Sequence, residues 1–415
     1  MTARSVTPDA LLKRHRCGTH RTVSPAETLA RVTPHLGAMG ITRVANVTGM
    51  DRIGVPVAMA FRPNARSIAV SPGKGLTLEA AKCSGVMESI EGWHAERPMI
   101  PLLHASLDEM RASRRVIDVG ALPRNAVRAF DPRRAILWAE GHDLLGGESA
   151  WVPYELVHTR FTLPLAPHSG ALLPGSNGLA SGNHRLEAMA HALCELIERD
   201  ASTLWHAGSD AACDATRVDL DTVDDAPCRE VLQRFADADV AVCAWEMTSD
   251  VGVAAYRVEI IDRDPDPARP YFPGVGSGAH PTREIALLRA LTEAAQTRLT
   301  LITGARDDLG VAHFARSFDA AAHAASRTRF ERPGARRSFR DAPSHESESV
   351  HEDVVWLLGR LASVGVREVV AVDLTRPEFN IPVVRAIVPG LEGIHSLPGY
   401  APGPRLLARL AERLS

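Results

Sequence analysis

Lysine is almost missing. Lys13, Lys74 and Lys82 are the only three, and arginine supplies the other 44 basic residues. GC-rich coding accounts for that bias, yet it has a chemical consequence. A nucleotide site in this chain must rely on arginine forks, on backbone N–H groups, or on metal held by carboxylates. A surplus of basic charge is missing too: the net charge is −3, which excludes the electrostatic footprint of nonspecific nucleic-acid binding. No apolar run reaches the length of a membrane span, and residues 1–20 have no apolar signal core. Six cysteines (Cys17, Cys83, Cys194, Cys213, Cys228, Cys243) are scattered without a C-x-x-C pair. That argues against structural zinc and a disulfide framework, and it points to a cytoplasmic protein. Neither a GxxxxGK[ST] loop nor a GxGxxG fingerprint is present.

What is present suits a folded chain of 415 residues, with 45% apolar and 23% charged side chains. Ser24, Pro25 and Glu27 read as a helix N-cap, N1 proline and capping-box acid. Strands are expected at 42–47, 55–61 and 66–71, with 51–54 as a hairpin turn, and later at 135–139, 151–162 and within 240–258. Long helices are expected near 77–97, 185–205 and 281–303. Residues 328–349 read as a solvated loop, followed by a helix at 350–364, strands at 368–373 and 382–388, and a closing helix at 405–413. Helices and strands alternate without strict βαβ spacing, so the fold class is α+β with mixed sheets. The chain divides into an N-terminal segment (1–60), a core (61–310) and a C-terminal helical and strand region packed on it (311–415).

One pattern occurs three times. Gly73-Lys74-Gly75 precedes a helix with Glu79, Glu88 and Glu91; Gly178 to Gly182 precedes one with Glu187, Glu195 and Glu198; Gly276-Ser277-Gly278 precedes one with Glu284, Glu293 and Gln296. The glycine segments read as turns. At about 100° per residue, Glu187, Glu195 and Glu198 share one helix face, and Leu193, Leu196 and Ile197 take the opposite one. Like charges so placed repel and call for a positive partner. Two readings follow. The glutamates hold Mg²⁺ and a nucleotide whose phosphates meet the glycine turns, or they pair with arginines such as Arg199 and Arg289 in structural networks. Spacing alone does not choose between them.

The stretch Ser176-Asn177-Gly178-Leu179-Ala180-Ser181-Gly182-Asn183, with Glu187-Ala188 and Ala192-Leu193-Cys194-Glu195-Leu196-Ile197-Glu198-Arg199-Asp200, resembles the signature of the YcaO family. The likeness extends over roughly residues 60–310. It implies a YcaO-type fold built around one ATP/Mg²⁺ site, and an enzyme that activates a peptide amide oxygen by phosphorylation before a nucleophile attacks. It implies metal binding by Glu88, Glu91, Glu187, Glu195 and Glu198. It implies ATP contacts from Lys74, Ser181, Asn183, Glu187, Arg199 and Arg289, with the family's serine aligned at Ser181 or at Ala180. Arg199, Arg289 and Glu293 would be catalytic. Gly18-Thr19-His20-Arg21, the run Gly40 to Gly49, Gly304 to Asp308 and Pro389 to Glu392 are similar to the branch that works with a TfuA partner. That branch implies thioamide formation with sulfide on a ribosomally made peptide or protein, and a homodimer is compatible with the family.

Many ring-forming relatives end in Pro-x-Pro-x-Pro, whereas here Pro402-Gly403-Pro404 is followed by further residues to Ser415. This favours the thioamide outcome over an azoline-forming cyclodehydratase; a third reading is a non-catalytic ATP-binding scaffold. His94, His184 and His191 fall near the glutamates and are expected to be packing residues, as is Cys194 beside Leu193.

Overall fold

The computed structural model describes residues 11–264, 271–315, 318–334 and 336–414. Two antiparallel three-stranded meanders and one six-stranded antiparallel sheet organise the chain. The first meander runs through Arg43–Asn46, Val57–Phe61 and Val70–Lys74. The second runs through Val240–Glu246, Ala255–Asp262 and Gly274–Ala279. The large sheet orders Leu102–Ala105, Ile136–Asp143, Val370–Asp373, Val383–Ile387 and Leu179–Ser181, and Ser149–Pro153 also pairs with Ile136–Asp143. This is the expected α+β architecture. Sheet pairing crosses residue 60, and the strands near 370 and 385 lie between earlier ones in the same sheet.

Each sheet delivers one glutamate helix. The first (Leu78–Glu96) follows the strand ending at Lys74, and its N-cap Thr77 accepts the Ala80 N–H. The second (Arg185–His206) follows Leu179–Ser181, capped by the His184 ring. The third (Arg283–Thr303) follows Gly274–Ala279 and ends on Gly304 in the left-handed conformation.

Gly73 and Gly276 to Gly278 lie in strand rather than turn, which corrects the expectation above, whereas Gly178 does sit in a turn, at φ +76°. A Cβ on Gly276 would lie 2.1 Å from the Ala290 carbonyl oxygen, and one on Gly73 would lie 2.1 Å from the Gly85 nitrogen. The glycines let each helix lie directly on the strand that precedes it.

Other differences are local. Residues 154–162 leave the strand for a 3-10 turn at Tyr154–Leu156, where Pro153 ends the ladder. The connection between the first two strands contains a 3-10 turn at Thr48–Met50. The expected loop 328–349 includes the end of a helix (Ala320–Glu331) and a two-residue strand (Arg337–Ser338) that pairs with Val218–Asp219. Its Phe339 is fully buried in the core of the second meander. Ala226–Asp237 is a further helix, capped by Asp225 with proline in its first turn.

The second glutamate helix buries Leu193 and Ile197 against Leu357 and Leu361 of the helix Val350–Ser363 and Val384 of the large sheet. That packing fixes the rotation of the helix and turns its acidic face toward the other two glutamate helices.

Candidate active site

The three glutamate helices converge on one cavity of about 670 Å³. All eleven residues singled out from the sequence line it: Lys74, Glu88, Glu91, Ser181, Asn183, Glu187, Glu195, Glu198, Arg199, Arg289 and Glu293. The N-terminal segment closes one side with Thr19, Arg21, Pro25 and Thr28. Arg21, Gln296 and Arg306 were not assigned roles from the sequence. The signal for Arg21 was its place in Gly18–Arg21, and for Gln296 its place where the other two helices carry glutamate.

Three of the carboxylates are held by hydrogen bonds. Glu91 Oε1 accepts the Ser181 N–H at 2.8 Å and its hydroxyl at 2.7 Å. Glu187 is fully buried; one oxygen accepts the Thr22 N–H at 2.7 Å and the other accepts the Asn183 N–H. Glu293 takes the Lys74 ammonium and the Ser277 N–H. Arg199 lies 3.5 Å from Glu198. Arg289 donates to His191 Nδ1 at 3.1 Å.

Crowding shows in the proton affinities. Burial, then the neighbouring Glu88 and Glu195 charges, push Glu91 up to about 8 against the hydrogen bonds from Ser181. Burial and Glu198 raise Glu195 to about 7 although Arg199 opposes the shift. Glu88 is raised to about 7 by its protein surroundings and by Glu195 and Glu293. Its side chain remains open to cavity solvent, so the shift of Glu91 is the firmer sign of crowding. Glu198 is also raised, by burial first. Burial pushes Glu293 the same way, but Lys74 and Arg199 outweigh it and leave Glu293 lowered.

These residues suit a metal–nucleotide complex. Several carboxylates whose charged forms are mutually disfavoured are what a divalent cation relieves, and Mg²⁺ takes a few such oxygens while phosphate and water complete its shell. Polar atoms are also left over: the donor Nε atoms of Arg199 and Arg289 are buried without a partner, as is the acceptor Gln296 Oε1. Of the glutamates that line the cavity, ion pairs account for Glu198, with Arg199, and for Glu293, with Lys74 and not an arginine. Among the described residues, Arg289 and Arg21 make no ion pair, and Glu88, Glu91 and Glu195 have none.

The remaining candidates separate cleanly. His94 points away from the cavity, bonding the Ile90 carbonyl and packing edge-on against Trp93 and Phe379. His184 caps its helix through Nδ1. Cys194 is core, and burial pushes its thiol up to about 12, so it stays protonated. His191 does line the cavity, against expectation, because it sits one turn from both Glu187 and Glu195 on the acidic face.

Comparison with known proteins agrees with this geometry. Residues 72–392 match the family described as YcaO cyclodehydratase, ATP- and Mg²⁺-binding. A protein of Rhizobium leguminosarum bv. trifolii, named as uncharacterized in the tfuA 3′ region, is 37% identical over 92% of this chain and 91% of its own length. One from Methanothermobacter thermautotrophicus is 35% identical over 89% of this chain and 94% of its own. The fold is similar to that of YcaO from Methanopyrus kandleri bound with AMPPCP and Mg²⁺, with a TM-score of 0.71, 22% identity, and cover of 95% of this chain and 98% of that one. It also resembles a heterocyclase in complex with substrate and cofactor, with a TM-score of 0.74 and 22% identity. There 92% of this chain spans only 54% of the heterocyclase. No described helix is long and apolar enough to cross a membrane. By its sequence match over most of its length, the chain belongs to the ATP- and Mg²⁺-binding YcaO family.

Proposed function

We propose that this chain phosphorylates a backbone amide oxygen of a ribosomally made peptide or protein at the expense of ATP, and that sulfide then replaces the oxygen to leave a thioamide. The observation that carries the reading is the convergence on one cavity of carboxylates from three helices and of the unpartnered Nε atoms of Arg199 and Arg289. The relative named for the tfuA 3′ region supports sulfide as the nucleophile and a TfuA-like protein as partner.

An amide carbonyl is a weak electrophile and its oxygen a poor leaving group; phosphorylation changes both. Glu88, Glu91, Glu187, Glu195 and Glu198 would hold Mg²⁺, which when bound neutralises charge on the transferring phosphoryl group. Arg199 and Arg289 would bind phosphate oxygens through the guanidinium nitrogens that lack partners. Lys74 keeps Glu293 ionised beside Arg199 and Arg289, so Glu293 would orient these groups and not accept a metal alone. Ser181 and Asn183 fix Glu91 and Glu187 through backbone N–H groups. Hydrosulfide forms the C–S bond, the C–O bond breaks, and phosphate leaves with the amide oxygen while the sulfhydryl proton passes to solvent.

The test is product mass with ATP, Mg²⁺, sulfide, a TfuA-like protein and a candidate peptide. The reading expects exchange of oxygen for sulfur, with ATP turnover dependent on peptide and sulfide. Loss of one water instead would give the second reading, azoline formation, which the cyclodehydratase description of the family favours. ATP binding without any peptide product would leave the scaffold reading.

A further inference from the structure

Behind the main cavity lies a niche of about 20 Å³, large enough for a single water-sized species. His20, His280, Cys194 and Asp353 line the niche and not the cavity, whereas Thr19, Arg21, Glu187, His191 and Arg289 line both spaces. His20, His280 and Asp353 bring ligand-type atoms within 4.8 Å of one another, which has the composition of a transition-metal site. Two contacts argue against metal. Asp353 is already matched by Lys13, which bonds it at 2.7 Å and is itself buried. His280 Nδ1 accepts the Thr282 N–H at 3.0 Å, so the neutral ring carries its proton on Nε2, which becomes a donor and not a ligand.

The same logic applies to His191. Arginine can only donate, so His191 Nδ1 accepts from Arg289 and its Nε2 carries the hydrogen. The niche therefore presents imidazole N–H donors, two guanidinium groups without ion pairs among the described residues, and a buried His20 Nδ1 without a partner. The carboxylates that border it are taken up elsewhere: Asp353 by Lys13 and Ser347, Glu187 by the Thr22 and Asn183 amides. Donors outnumber acceptors around a space of one heavy atom.

We propose that this niche holds hydrosulfide, beside the cavity in which the amide is activated. The inference rests on the thioamide reading and assigns that reaction a nucleophile site. Arg21, His191 and Arg289 line both spaces, so the niche adjoins the cavity across single side chains. Burial keeps His280 and His191 neutral, so neither adds a charge that would trap the anion too tightly to react.

The test compares wild type with His280→Ala and His20→Gln, neither of which lines the main cavity. Sulfide KM should rise about ten- to a hundred-fold, as expected for a lost hydrogen bond to a charged ligand, with ATP KM unchanged. Crystals soaked in bromide, a monoatomic anion probe, should show an anomalous peak in the niche that His280→Ala removes. Thiolated product from wild type with unchanged sulfide KM in both variants, or a zinc peak at the trio and no bromide, overturns the niche while leaving the thioamide reading intact. Wild type that yields only dehydrated product overturns the thioamide reading and the hydrosulfide occupant together. A variant that fails to fold is replaced by Ala190→Val, which narrows the niche from its apolar side and carries the same expectation.

Discussion

At the scale of single residues, the site is defined by charge that the protein itself does not neutralise. Glu195 and Glu198 sit an i,i+3 step apart on one face, and only Arg199 answers them closely. Glu195→Gln and Glu198→Gln should each keep the fold and lose ATP turnover. Loss of a metal site's outer partner already costs about 10–100-fold, and loss of a ligand should exceed that. A steady-state ATPase assay with circular dichroism checks both halves, and wild-type turnover in both variants would refute the metal assignment. The pH response has a definite sign. Glu91 and Glu195 are raised from 4.5 to about 8 and about 7. The folded chain therefore binds protons that the unfolded chain has lost. Their stabilising contribution is complete below pH 4.5 and disappears as pH rises through about 7 to 8. In chelator, the melting temperature should fall between pH 6 and pH 9, and Mg²⁺ with ATP should raise it most at the alkaline end. A metal-free melting curve that rises over that interval would contradict the crowding of these carboxylates.

At the scale of elements, the helices were legible in the sequence, and two of the three glycine clusters were misread. Glutamates at offsets of eight to twelve identify a face because helical period is a property of the chain alone. A glycine cluster has no such signature: it serves a turn and a close helix–strand contact equally well, and only the contact partner, some 10 residues later, distinguishes them. Ser181 ends the strand just before Gly182 and meets Glu91 through its own N–H and hydroxyl, whereas Arg21 depends on a docking of the N-terminal segment that no local pattern encodes. Phe339 was lost in a polar stretch for the same reason: its burial comes from the second meander, far away in sequence. The helix–strand contact makes a sharp prediction. Gly276→Ala would set a methyl group 2.1 Å from the Ala290 carbonyl and 2.4 Å from the Ala294 nitrogen, both backbone atoms of the third glutamate helix. The helix must move, at about 1–3 kcal/mol or more. Gly359→Ala, where a Cβ meets nothing within 4 Å, is the control and should be neutral or mildly stabilising by urea denaturation.

At the scale of the whole molecule, the site is closed from both ends of the described chain. Lys13 anchors the N-terminal segment on Asp353, and Thr22 meets Glu187. From the other end, the segment after Tyr400 folds back onto the second glutamate helix at Asp200, the residue next to Arg199. Asp200 is fully buried and accepts from Arg405 Nε at 2.9 Å, from Arg405 Nη2 at 3.0 Å and from the Glu392 N–H at 2.9 Å. Glu392, also buried, takes the Gly403 and Leu406 N–H groups and the Tyr400 hydroxyl. Arg405 thus pairs with buried Asp200, which continues the helix that carries Glu195 and Glu198, and also with exposed Asp250. Arg405→Leu should cost about 3–5 kcal/mol, because it strands Asp200 without a countercharge in the interior. Removing both partners in Asp200→Asn with Arg405→Leu should recover much of that loss, since a buried pair is worth far less than the penalty of breaking it. A double-mutant cycle in urea reads the coupling directly. Additive costs would mean that Arg405 acts through packing and Asp250 and not through Asp200; a recovered double variant that still turns over ATP slowly would mean that the clamp also sets the position of Arg199.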